Sequence, residues 1–251
     1  MDKNLIKQFN HFKIHSQYSI CQGAIKIDDL KHYCKINKVP AIGLSDSFNL
    51  WGALEFAENI SKVGTQPIIG TQINFKYKDT IGLLPLFAMN NHGYKKIIEL
   101  SSKSYLNNDG ILEPHCNFTE LDNNNDGIAI LSGTINGLIG KLFNNGKYQD
   151  IEEIYNILIS NYKESFYIEI QRHDDENEKK FEKFNLQKSN ELNIALIATQ
   201  EVFYLDQNMY EAHDALICIG NKTYLNEKNR KRFTNEHYLK STKQMLDLFL
   251  D

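Results

Sequence analysis

His11 and His15 are separated by Phe12-Lys13-Ile14, and on an extended strand that spacing turns His11, Lys13 and His15 to one face. Two imidazoles sharing a face and running into the turn Ser16-Gln17-Tyr18-Ser19 suit the first strand of a metal-dependent hydrolase. In such a site neutral imidazoles and carboxylates hold a divalent ion, and the ion activates water. Between the two histidines stands Lys13, an ammonium with no lone pair to offer. The frame of a metal site is present, with a cation of the chain's own at one position.

Other reactive side chains read as structural. Asp46 follows an apolar run and is expected to hold a loop amide, and His11 is expected to be packed or hydrogen-bonded inside the fold. His213-Asp214 is not an acid–base pair, because adjacent residues of a helix do not face each other. His32, His92, His115 and His237 have no ligand-like spacing. Lys228, Arg230, Lys231 and Arg232 fit either a phosphate backbone or a protein docking surface. No Ser-His-Asp arrangement, P-loop or G-x-G-x-x-G fingerprint is visible.

The elements that must carry these residues are legible as apolar runs at 11–15, 41–44, 67–75, 83–88, 127–131, 166–170 and 194–198. Several are continuous rather than alternating, as for parallel strands covered on both faces. Amphipathic segments lie between them near 27–36, 50–63, 93–106, 151–162 and 176–193, followed by helical patterns at 210–219 and 241–250. Seven strands alternating with helices predict an α/β fold of barrel type, with chemistry at the C-terminal ends of the strands. Asn107-Asn108-Asp109-Gly110 and the run from Asp122 to Gly127 are turn-rich loops, and 174–193 is a solvated charged face. The chain stops at Asp251 just after a helical pattern, as the first domain of a longer protein would.

In 251 residues, 41% hydrophobic and 24% charged, the chain can bury a full core. A net charge of −4 argues against a free-standing nucleic-acid binder. Cys21, Cys34, Cys116 and Cys218 form no C-x-x-C pair and read as reduced thiols of a cytoplasmic protein. No apolar run approaches the ~20 residues that span a bilayer, and no membrane association is expected.

The order of the strand ends resembles the PHP (polymerase and histidinol phosphatase) family, whose fold is a distorted TIM-like (β/α)7 barrel. The segments His11 to Ser19, Gly52-Ala53-Leu54-Glu55-Phe56, Pro67-Ile68-Ile69-Gly70, Asn90-Asn91-His92-Gly93-Tyr94 and Ala212-His213-Asp214-Ala215-Leu216 carry the likeness further. With Arg232 to Ser241, they resemble the PHP domains at the N-termini of bacterial DNA polymerase III alpha subunits. The resemblance covers about residues 9 to 251. It implies a barrel domain over 1–220 and an extension over 221–251 leading toward a polymerase core.

Metal-binding members of the family hold two or three zinc or manganese ions at the strand ends. Carried onto this sequence, their ligand positions fall on Lys13, His15, Gln22, Ser47, Gln72, His173, Glu201 and Phe203, with one further histidine position at Leu83. Only His15, His173 and Glu201 keep ligating chemistry, and a multinuclear cluster needs several anionic ligands. The expectation is a vestigial pocket without a metal cofactor and without catalytic residues. His15 and His173 are the two side chains able to hold a stray zinc, and Lys13 would supply part of the lost positive charge.

The function implied is that of a non-catalytic domain of a DNA-directed DNA polymerase. The parent subunit would join deoxynucleotides with Mg2+ held in a palm domain outside these residues. The partners implied are the rest of the alpha subunit, the proofreading 3′–5′ exonuclease subunit, and DNA through the parent. The alternative is a Zn2+- or Mn2+-dependent phosphoesterase, pyrophosphatase or 3′–5′ exonuclease of the same family, against which the substitutions at Lys13, Gln22, Ser47, Gln72 and Phe203 tell together.

Overall fold

The computed structural model describes residues 8–106, 110–121 and 127–250. In chain order the elements are β1 (Lys13–Ile14), α1 (Ile27–Asn37), β2 (Ala41–Ser47), α2 (Ala53–Ser61), β3 (Gln66–Tyr77), β4 (Thr80–Ala88) and α3 (Asn91–Leu106). They continue with β5 (Cys116–Asn117), β6 (Ile128–Leu131), α4 (Leu138–Asn144), α5 (Tyr148–Tyr162), β7 (Phe166–Ile170) and α6 (Glu176–Leu192). The last are β8 (Leu196–Ala198), β9 (Glu201–Val202), α7 (Tyr210–Asn221) and α8 (Thr242–Leu248).

One curled sheet runs in the order β8-β7-β6-β4-β3-β2-β1-β9, with β5 attached to β3 off this path. Its two end strands are consecutive in the chain and are joined by Thr199-Gln200 alone. The segment 196–202 therefore pairs with β7 at its start and with β1 at its end, and chain continuity completes the ring. Counting that bent segment as one strand gives seven staves, and the fold is a distorted TIM-like α/β barrel.

The expected alternation of strand and helix breaks once. β3 extends past Gln72 to Tyr77 and returns directly as β4 through Lys78-Asp79, so β4 runs antiparallel to both β3 and β6. Two residues cannot make the crossover that a parallel pairing needs. Lys78, at φ 51, takes the left-handed conformation that this tight turn requires. The turns expected at 107–110 and 122–127 lie outside the described residues except for Gly110 and Gly127.

The helices follow from their apolar stripes. Ile27, Leu30 and Cys34 line the buried face of α1, and Ile151, Ile154, Tyr155, Leu158 and Tyr162 that of α5. On α6 the buried stripe is Phe181, Asn185 and Ser189, and Phe184 and Leu192 pack partly against the core. The expected solvated charge holds for Glu176, Lys179, Lys180 and Lys183, whereas Glu178 and Glu182 turn inward to His173 and Arg172. The Asp175 side chain accepts from the Asn177 amide to start α6, and Ser241 with Gln244 forms a capping box on α8.

Two apolar clusters hold the layers together: one packs β1, β2 and β9 against α1 and α2, and the larger packs β3, β4, β6 and β7 against α3 to α6. Ile14 and Val202 belong to the first cluster, and Phe166 and Ile168 to the second. By the two-residue period of a strand, Lys13, His15, Glu169 and Glu201 then turn to the opposite face, inside the barrel.

Candidate functional site

At the centre of that inner face lies a buried ion-pair cluster. Lys13 Nζ stands 3.0 Å from Glu169 Oε1 and 2.9 Å from Glu201 Oε2, and the Lys13 and Glu169 side chains are fully buried. Glu201 Oε1 lies 2.6 Å from His15 Nε2 and also accepts a hydrogen bond from the Gln72 amide. Glu169 in turn accepts from Gln171 Nε2 at 2.9 Å and from the Thr199 hydroxyl. Burial alone would lower the Lys13 pKa, but the two carboxylates outweigh it and the ammonium titrates above the ordinary lysine value. Burial likewise works to raise the Glu201 pKa, yet Lys13 and His15 hold its carboxyl well below the usual range.

A polar loop closes the cluster on one side. Asp46, at the end of β2, accepts from the Ser16 amide at 2.7 Å, the Ser16 hydroxyl at 2.8 Å and the Ser19 hydroxyl at 2.7 Å. It holds a loop amide, as expected, and burial pushes its carboxyl up against these hydrogen bonds. Ser19 Oγ is also 3.1 Å from His15 Nδ1, and Ser47 Oγ is 3.4 Å from the same nitrogen while donating to Gln22 Oε1 at 3.0 Å. Gly23 makes this fold of the loop possible: a Cβ there would lie 2.1 Å from the Ser16 carbonyl oxygen.

The other side is closed by the C-terminal segment. Phe203 stacks on His15 with centroids 4.4 Å apart, and Phe233 packs on Phe203 at 4.7 Å. Thr234 Oγ1 donates to the His173 carbonyl at 2.6 Å, and His237 stacks on His173 at 4.0 Å. Tyr238 bridges to Tyr204, and His11 Nε2 donates to the Lys240 carbonyl at 2.8 Å. Residues 230–242 thus lie as a strap across the mouth of the barrel, leaving Lys13, His15 and His173 almost without solvent contact.

Lys13, His15, Gln22, Ser47, Gln72, Glu201 and Phe203 are brought together around this cluster, and His173 joins it through the Glu201 backbone amide, which donates to His173 Nε2 at 3.1 Å. That bond fixes the tautomer, so Nδ1–H donates to Glu178 Oε1 at 2.7 Å. Leu83, on β4 opposite Asn74, contributes nothing polar. Sequence reasoning missed Glu169, Ser19, Glu178 and His237. A glutamate inside the apolar run Phe166–Ile170 was the available signal for Glu169, because a buried acid needs a partner.

A divalent metal does not fit these residues as they stand. His15 and His173 have both ring nitrogens engaged, Gln22 and Gln72 are neutral, and the space between the two carboxylates holds the Lys13 ammonium. Among the described residues no group of three or more His, Cys, Asp or Glu side chains is placed to hold a metal ion. The neighbours His213 and Asp214 take separate structural partners, as expected: His213 Nε2 donates to the Gln22 carbonyl, whereas Asp214 takes a bidentate ion pair from Arg230 at 2.6 Å for each bond. Arg230 is thereby removed from the basic cluster. All four cysteines are free thiols, and no described helix is long and apolar enough to cross a membrane.

Comparison with known proteins gives the family and the fold. Over 97% of its length the chain is 32% identical to the DNA polymerase III subunit alpha of Caulobacter vibrioides and 34% identical to that of Rickettsia felis. It spans about a fifth of the length of these relatives, 22% and 20%. A crystal structure of a "putative metal-dependent phosphoesterase" from Bifidobacterium adolescentis superposes with a TM-score of 0.52 at 10% identity, covering 78% of this chain and 87% of that one, which is a likeness of fold. The family model for the PHP domain matches residues 11–173, and the chain belongs to the PHP domain family.

Proposed function

We propose that this chain is the PHP module of a DNA polymerase III alpha-type subunit, and that the module supports and docks rather than hydrolyses. The observation that carries the second half is the commitment of the pocket to itself. Lys13, His15, Glu169, Glu201 and His173 satisfy one another, and the strap covers them, so neither a metal cluster nor a phosphate ester has groups left to meet it. An anion beside Lys13 is equally disfavoured, because that ammonium is fully buried between two carboxylates.

In this reading the parent subunit carries out DNA-directed DNA synthesis with Mg2+ in a domain outside the chain, and reaches DNA there. The barrel serves the rest of the subunit and the proofreading exonuclease as a rigid platform. Exposed Ile20, Trp51, Leu54 and Ile219 supply apolar surface of the kind docking uses. The loop 18–21 joins them, since Tyr18 abuts Gly52 and Cys21 abuts Gly220.

A phosphodiesterase assay with a chromogenic diester and added Mn2+ or Zn2+ tests the catalytic half, and turnover no faster than buffer is expected. Turnover that His15→Ala abolishes would restore the phosphoesterase alternative. Titration with a purified proofreading exonuclease tests the docking half, with saturable binding weakened by Trp51→Ala as the supporting result.

A further inference from the structure

The disagreement between the family's metal chemistry and this pocket has a specific form. Two carboxylates, Glu169 and Glu201, are buried inside the barrel and converge on one point, and Lys13 Nζ occupies it at 3.0 and 2.9 Å. Buried carboxylates stay ionised only beside positive charge. On Glu201 the oxygen turned away from Lys13, Oε1, is held by His15 and Gln72, and on Glu169 Gln171 and Thr199 hold Oε1, the same oxygen that faces Lys13. The carboxylates are therefore preorganised around the cation and not merely drawn to it. The lysine reaches the point from Cα on β1, the strand that lies between β2 and β9 in the middle of the pocket wall.

We propose that Lys13 is a tethered counter-ion standing where a hard divalent cation would bind, and that the barrel depends on it for stability as a metalloprotein depends on its metal. The inference rests on the metal-free reading above and deepens it. Cutting Lys13 back to alanine leaves two fixed carboxylates facing a void next to His15. Oxygen donors with water suit Mn2+, Mg2+ or Ca2+. The variant exchanges a covalent cation for an exchangeable one.

The test compares the wild-type chain with Lys13→Ala and with Lys13→Ala/Glu169→Gln, each unfolded thermally in chelator and over a range of Mn2+, with bound Mn2+ counted by the loss of the free-ion electron paramagnetic resonance signal. The wild-type melting temperature should not move. Lys13→Ala should melt lower in chelator and gain roughly 5–10 °C when Mn2+ is about a hundredfold above its Kd, with one ion per chain. The double variant should lose that gain. If Lys13→Ala is unfolded in chelator, the return of its helical circular dichroism on adding Mn2+ is the same result.

A Lys13→Ala chain that folds but gains nothing from Mn2+, or that stays unfolded in it, overturns the proposal. So does a gain that persists unchanged in the double variant. A wild-type chain that itself binds Mn2+ stoichiometrically sinks instead the metal-free reading, whatever the variants do.

Discussion

His237 lies flat on His173, with ring centroids 4.0 Å apart and planes 7° from parallel. One ring belongs to the loop after β7 and the other to the strap that crosses the barrel mouth, so the stack pins the C-terminal segment to the pocket wall. His237 Nδ1 adds a hydrogen bond to the Glu201 carbonyl at 3.0 Å, and its own carbonyl accepts from the Phe203 amide at 2.9 Å. Glu201 and Phe203 are thus held from the strap side as well as by β1.

His237→Ala should lower stability by about 2 kcal/mol, the sum of one hydrogen bond and one ring stack. Urea unfolding measures the loss, and amide hydrogen exchange should accelerate at Phe203 and Leu239, whose N–H groups bond across the strap. Unchanged exchange at both amides would mean that the strap is held by something other than this stack.

Why the strap escapes the sequence while the barrel does not is a matter of periodicity. Each of the seven expected runs lies on an observed strand, because the face that every stave turns to the helices is apolar even where its inner face is polar. The strap is ordered by single contacts, Phe233 on Phe203, Thr234 on the His173 carbonyl, His237 on His173, and these have no repeat to detect. α4 went unseen for a related reason: it is seven residues long and interrupted by Gly140. The β3–β4 hairpin turns on Lys78-Asp79, which lacks the glycine or asparagine that marks such turns. Within the pocket, Lys13 was legible as an intruder among histidines, but its partner Glu169 lies 156 residues away and announces itself only once both strands face the barrel interior.

Acid should weaken the fold through His11. Burial pushes its imidazole down to about 4, against the hydrogen bond to the Lys240 carbonyl and with some help from the Lys240 charge. In the unfolded chain the ring titrates near the ordinary value of about 6.5. Between those values the unfolded state binds a proton that the folded state refuses, so stability is fully present above pH ~6.5 and is lost as pH falls toward 4. His237, also held low by burial, acts in the same direction. Urea midpoints measured across this range should fall for the wild-type chain and fall less for His11→Asn, which keeps a donor for Lys240. Equal slopes would place the acid sensitivity elsewhere.

Arg230 should behave as an anchor and not as a phosphate contact. Its guanidinium grips both oxygens of Asp214, whose carboxyl this pairing holds below the ordinary range. Arg230→Ala is expected to lower the urea midpoint without changing the m-value, and to leave any weak binding of an oligonucleotide with the same salt slope. Lys231→Ala should do the reverse. A salt slope reduced by about one in Arg230→Ala would assign it a phosphate after all.

The metal content of the wild-type chain bears most directly on a pocket filled by its own lysine. Protein purified without chelator, in medium containing zinc and manganese, should show far less than one metal ion per chain by elemental analysis, and its melting temperature should be the same before and after treatment with chelator. Near-stoichiometric zinc or manganese, removed by chelator together with several degrees of melting temperature, would contradict the assignment of Lys13 as the cation between Glu169 and Glu201.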